Sequence, residues 1–351
     1  MVVEDGRVGL ALFGFGRIGR VHFASLVHQR HEAELLYVVD DIIDPPSQAK
    51  AKYQLANTKV VPIAETDNVL QDSRLASLKS RQIDGIIVCT PTEGHHPLVT
   101  AALRAGKHVM CEKPIALSLS EVAQCYEAAE ASGVQLFCAM NRRFDPMFRR
   151  VRQQVGEGSL GRLQFAHMLL RDHPAPPPAA LAAAGNMVVD VGIHGIDTLS
   201  WIAGERPHEV TTFGHGQEAA TKARGDYDAF ALLLKFPSGL IGYVDSCRYT
   251  PYGYDQKIEV VGSESAVVAE TPHEDNLLLR GPAGDSLAPL QFSFPQRFAE
   301  AYAEEVRHFI AILKGEETCE VAGEDVIAAT KAILAACKAA ETRSVVHIDY
   351  D

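Results

Sequence analysis

The sequence predicts a chain in two parts. Residues 1–144 read as an α/β domain on a parallel sheet, and 145–351 as an α+β domain with a large, mainly antiparallel open sheet. Three observations carry this prediction. The 351 residues exceed what one ordinary hydrophobic core organises. Up to about residue 140, short uninterrupted apolar runs alternate with helical patterns, as strands buried on both faces and covered by helices do. Beyond about residue 145 the runs lengthen, and several approach the period of two expected of strands with one solvated face.

Taken in order, "VGLALFGFG" (8–16) is a compact strand ending in glycines, and "RIGRVHFASLVHQ" continues with helical spacing. "AELLYVVDD" (33–41), "TKVVPIA" (58–64) and "IDGIIVCTP" (83–91) are further strands. "HHPLVTAALRAG" (95–106) is a helix stopped by Gly106, and "KHVMCEKP" (107–114) is a strand. "SLSEVAQCYEAAEASG" (118–133) is a helix capped by Ser118 or Ser120, before the strand "VQLFCAM" (134–140). The second part holds strand runs at 162–171, 227–236, 239–249 and 257–270, with short turns "PSG" (237–239) and "GSES" (262–265). Amphipathic helices come after them at 298–315 and 324–342. A Pro/Ala tract, "HPAPPPAALAAAG" (173–185), is the one biased segment, and its bulk suggests a semi-rigid flap over a ligand.

Composition narrows the function classes. A formal net charge of −12 argues against a nucleic-acid partner, which needs a basic face. No apolar run approaches the roughly 20 residues of a membrane span, and the N-terminus has no basic n-region of a signal peptide. The seven cysteines are scattered with no C-x-x-C pair, which points to free thiols in a reducing, cytoplasmic setting and not to a zinc site.

"GFGRIG" (14–19) places Gly14, Gly16 and Gly19 between a strand and a helix. Gly14 permits the tight turn, Gly16 leaves room for a pyrophosphate, and Gly19 lets helix and strand pack closely. The helix N-terminus then offers N–H groups and a positive dipole end to phosphate. Asp40 ends the second strand, where a carboxylate accepts the adenosine ribose hydroxyls and repels a 2′-phosphate, favouring NAD over NADP. This is the fingerprint of a dinucleotide-binding (Rossmann) domain. "CEKP" (111–114) puts Lys113 at a strand's carboxyl end, the edge where open α/β sheets bind ligands. In "NMVVDVGIHGIDTLSWIAGE" (186–205) an apolar helix is interrupted by Asp190, His194 and Asp197, whose spacings put them on one face.

These features together, with "NRRFDP" (141–146), "RD" (171–172), "DVGIHGIDTL" (190–199) and "YGYD" (252–255), resemble the glucose–fructose oxidoreductase / inositol dehydrogenase / rhizopine catabolism (Gfo/Idh/MocA) family. The resemblance spans essentially the whole chain and is strongest to the family's inositol 2-dehydrogenase branch. It implies oxidation of a ring hydroxyl of myo-inositol or a related inositol, with NAD as cofactor and a homodimer or homotetramer as the assembly. It implies Lys113, Asp190 and His194 as catalytic residues. It implies Gly14, Gly16, Arg17, Ile18, Gly19, Asp40, Thr90, Pro91, His95, Glu112 and Lys113 around the dinucleotide. Arg142, Asp197, Tyr252 and Tyr254 join the catalytic three around the polyol. Elementary chemistry agrees: an imidazole suits removal of a hydroxyl proton near neutral pH, and a lysine ammonium steadies the developing alkoxide. The polar row of the apolar helix would then face the cofactor across an interdomain cleft.

Other readings stay open at this level. Asp190 and His194 also suit a structural pair, or two ligands of a metal whose third ligand is not evident. Asp145 suits a helix N-cap, and Arg142 and Arg143 are equal candidates to face the ligand. Tyr252 and Tyr254 also suit one face of an edge strand. Rival functions are an aldose or sugar-derivative dehydrogenase, NAD-assisted glycoside cleavage, and a non-catalytic regulator that senses dinucleotide and sugar.

Overall fold

The computed structural model describes residues 6–41, 58–70, 83–174, 186–282 and 284–351. They form two compact units, Met1–Met140 with Tyr302–Ile327, and Asn141–Ala301 with Ala328–Asp351. No helix among the described residues is long and apolar enough to cross a membrane.

The first unit holds six parallel strands: β1 (Val8–Phe13), β2 (Ala33–Val39), β3 (Lys59–Val61), β4 (Gly85–Val88), β5 (His108–Glu112) and β6 (Leu136–Ala139), in the order β3-β2-β1-β4-β5-β6. Every residue of β1, β4 and β6 is buried, which is why those runs show no polar alternation. The helix Leu119–Ser132 is capped by Ser118 in a reciprocal box with Glu121 and ends at Gly133 with φ +66°, which decides the choice between the two serines.

The units divide after Met140, where the sequence suggested residue 144, and residues 302–327 return to the first unit. The helix Ala299–Lys314 brings Phe309 to stack on Phe137 of β6, with centroids 6.3 Å apart. Gly85 makes room for it, since a Cβ there would sit 3.0 Å from both Phe309 and Leu313. An amphipathic stretch announces that it has an apolar partner, not which sheet the partner is.

The second unit is built on seven strands: β7 (Leu163–Arg171), β8 (Glu209–His215), β9 (Ala229–Lys235), β10 (Ile241–Cys247), β11 (Asp255–Gly262), β12 (Ala266–Ala269) and β15 (Val346–His347), ordered β12-β11-β7-β10-β9-β8-β15. The pairing is antiparallel except for β7 with β10, so the sheet is mixed and mostly antiparallel. A separate hairpin joins β13 (Leu278–Gly281) to β14 (Gly284–Leu287). The helix Ile193–Ala203 lies on one face: a Cβ on Gly195 would meet Val244 of β10 at 2.7 Å, and one on Gly242 would meet Leu199 at 3.2 Å. The opposite face displays Phe165, Phe213, Leu233 and Ile241, all exposed.

Candidate active site

The first unit gathers its expected residues at one sheet edge, because β2, β1, β4 and β5 are parallel neighbours whose carboxyl ends lie side by side. Gly14 has φ +88°, and a Cβ there would lie 2.5 Å from the carbonyl oxygen of Cys89, so the loop closes on the end of β4 only with glycine. A Cβ on Gly19 would lie 2.1 Å from the Gly14 carbonyl oxygen. Gly16 differs, with nothing within 4 Å of where its Cβ would stand. The helix Arg17–His28 starts there, and its N-cap, Gly16, has no side chain to cap it. Open space before a helix N-terminus is what a dinucleotide's diphosphate requires, and the loop fits NAD on that ground.

Asp40 comes directly after β2 and accepts the Phe15 N–H through Oδ2 at 2.5 Å. It therefore also fixes the glycine loop, a use the sequence did not announce. Arg17 is exposed and Ile18 half-buried on the first helical turn, while half-buried Thr90 and exposed Pro91 continue β4. Lys113 is half-buried directly after β5.

Two further residues expected at the cofactor have protein partners of their own. His95 is buried, and its Nδ1 and Nε2 lie 2.9 Å and 2.8 Å from the carbonyl oxygens of Pro114 and Thr90. The ring thus lies between the loop after β4 and the turn after β5, donating its N–H to one of the two carbonyls. Glu112 turns inward: its Oε1 is 2.7 Å from Nε2 of His22, and its Oε2 accepts the Lys113 N–H at 3.2 Å. Glu112 ends β5 and His95 opens the helix His95–Arg104 beyond β4, but neither position carries information on which way a side chain turns.

In the second unit, Asp190 falls in a π-helical turn, Val188–Gly192, that runs directly into the α-helix Ile193–Ala203. π-Turns inside helices are frequent at functional sites. Asp190 and His194 are half-buried on this otherwise apolar segment, with Val191, Gly192, Ile193 and Gly195 buried between and beside them.

Asp197 does not share their setting. It is 2% exposed and paired with Arg143, itself 3% exposed, through Nε–Oδ2 at 3.0 Å and Nη2–Oδ1 at 2.6 Å. The open choice between the two arginines resolves with neither at a surface. Arg142 is buried, donates to Oε1 of Gln256 at 2.8 Å and lies 4.9 Å over the Phe298 ring. Asp197 and Arg142, both expected at the polyol, are thus buried with polar protein partners. Gln256 and Arg143 carry no motif that would have disclosed it. Asp145 is the N-cap of the helix Pro146–Gly156, accepting from Met147 and Phe148 N–H, and also binds Arg297 at 2.6 Å.

The two tyrosines separate. Tyr252 is 53% exposed and donates its hydroxyl to Asp255 at 3.0 Å, whereas Tyr254 is buried edge-on against Phe298. Of the Pro/Ala tract, residues 175–185 lie outside the described residues, and the expected flap with them.

Residues 8–140 match the model of an oxidoreductase family with an NAD-binding Rossmann fold, and residues 148–268 match the GFO/IDH/MocA C-terminal domain. The chain is 33% identical to the myo-inositol 2-dehydrogenase of Thermotoga maritima over 90% of its own length and 91% of that protein. It is 34% identical to the inositol 2-dehydrogenase of Rhizobium meliloti over 96% of its length and 98% of that protein. A crystal structure from Thermotoga maritima superposes with a TM-score of 0.88 at 30% identity, covering 97% of this chain and 99% of that one.

Proposed function

This chain belongs to the Gfo/Idh/MocA oxidoreductase family, and on that premise we propose that it oxidises one ring hydroxyl of myo-inositol, or of a related inositol, to the ketone with NAD. The observation that carries the proposal is the pair Asp190 and His194, half-buried on a segment where Val191, Gly192, Ile193 and Gly195 are buried. A merely structural pair in so apolar a helix would be closed off as Asp197 is.

NAD, when bound at the glycine loop, supplies the hydride acceptor. His194 takes the hydroxyl proton, since an imidazole titrates nearest neutral pH. Lys113 holds the same oxygen and offsets its growing negative charge. Asp190 orients the imidazole. Tyr252 offers an exposed phenol to further hydroxyls. Protons and electrons balance: one hydride leaves carbon, and one proton leaves oxygen.

The test is a panel of inositol isomers and aldoses with NAD and with NADP, read by the absorbance of the reduced nicotinamide. The expected outcome is turnover with an inositol and NAD. Turnover confined to aldoses would move the substrate class, and nucleotide binding without turnover would leave a regulator.

We also infer a homodimer or homotetramer formed through the open sheet face, in a reducing cytoplasm that keeps the seven free thiols as they are. Phe213 and Leu233 are 66% and 45% exposed on that face, an apolar surface that association would cover. A Phe213→Glu/Leu233→Glu double variant is expected to elute as a smaller species in light-scattering chromatography, with unchanged helix and strand content. An unchanged mass would remove this face from the assembly.

A further inference from the structure

Inside the first unit, three ionisable side chains that the proposed chemistry does not use converge behind the turn that carries Lys113. His22, on the helix Arg17–His28, and Glu305, on the helix Ala299–Lys314, are fully buried. Glu112 ends β5, one residue before Lys113. Nε2 of His22 lies 2.7 Å from Oε1 of Glu112 and 3.9 Å from Oε1 of Glu305. One such atom of each residue falls within 4.8 Å of the others. Both carboxylate oxygens of Glu305 and Nδ1 of His22 are buried with no hydrogen-bond partner among the described residues.

Two carboxylates this close, with one wholly enclosed, do not both stay ionised, because no hydrogen-bond donor among the described residues meets the second charge. We propose that Glu305 is held as the neutral acid and acts as a positioning residue, leaving Glu112 as the single carboxylate that accepts from His22 and from the Lys113 N–H. The backbone from which Lys113 projects is thereby fixed by a side chain whose own charge is not contested. This rests on the role proposed for Lys113 at the reacting oxygen.

The electrostatics agree. Burial first, and the Glu112 charge second, push Glu305 well above the usual carboxylate range. The groups facing it are Glu112 from β5, His22 from the first helix and Cys89 from the end of β4. The Cys89 thiol is itself pushed well up by burial and then by both carboxylates, so it adds no charge. On its own helix, Tyr302 meets the His22 ring edge-on at 5.6 Å. A carboxyl raised on folding keeps its full contribution to stability below the unfolded value and loses it as pH climbs towards the folded one.

The experiment compares wild type, Glu305→Gln and Glu305→Leu. The melting temperature of Glu305→Gln is expected to gain on wild type steadily as pH rises from about 5, because the amide has no proton to lose. Glu305→Gln is expected to retain kcat, while Glu305→Leu loses on the order of 10- to 100-fold in kcat with an unchanged KM for NAD, the scale of a 1 Å misplacement. Parallel melting curves would overturn the buried proton. A stoichiometric divalent cation in purified wild type that Glu305→Gln fails to retain would also overturn it, in favour of a metal. Equal kcat in all three proteins would overturn the positioning role. If wild type turned over no polyol, the proposed function would fall while the melting curves still judged the proton.

Discussion

The His194→Ala variant is expected to lose about 10²–10⁴-fold in kcat, the range a positioned general base contributes, while binding NAD as wild type does. The two readouts separate because the residues concerned belong to different units: the glycine loop lies in Met1–Met140, and His194 in Asn141–Ala301. The side chain is half-buried, so its truncation is not on the scale of a core deletion, and a small loss of stability does not mimic the effect. Steady-state rates over a pH series, with NAD affinity measured by nucleotide fluorescence, decide it. The variant's rate should climb as hydroxide replaces the missing base, and added imidazole should restore part of it. A loss below tenfold would assign the proton to another group and leave His194 a contact residue.

Much of the first unit was legible because its physics is local. Uninterrupted apolar runs such as Gly85–Val88 can only be strands covered on both faces, and glycines at 14 and 19 are demanded by contacts of 2.5 and 2.1 Å that any Cβ would make. The illegible part is set by pairing between distant segments. Nothing in 298–315 says that Phe309 will cover Phe137, so the sequence does not disclose the return of the chain to the first unit. It does not disclose the strands β8, β13, β14 and β15 either. The last three are short, and their positions are exposed or only half-buried, so they show no period. The three-residue row Asp190, His194, Asp197 is less uniform than its spacing. The π turn Val188–Gly192 offsets Asp190 from the wheel of the α-helix that carries the other two. His194 and Asp197 do share that helix, but spacing gives only a direction around it, and Asp197 meets Arg143 in the interior while His194 is half-buried.

That difference in burial leads to the largest effect on stability. The Asp197→Ala variant is expected to lose about 3–5 kcal/mol, read from the denaturant midpoint, because it removes the carboxylate bound at two points to a guanidinium that is 3% exposed. The pair ties the turn Asn141–Phe144 to the helix Ile193–Ala203, so part of the loss would also appear as disorder around His194, three residues away. Replacing both members with apolar residues of similar size, Arg143→Met with Asp197→Leu, removes two buried charges together and is expected to recover most of the loss. Asp190→Ala is expected to do the reverse of Asp197→Ala, lowering turnover while leaving the midpoint nearly unchanged, since its carboxylate is half-buried. Two aspartates seven residues apart on one helical segment would then divide cleanly, one by its stability cost and the other by its rate. A similar midpoint shift in both variants would mean that burial is a poor guide here, and the case for Asp190 beside the reacting hydroxyl would weaken with it.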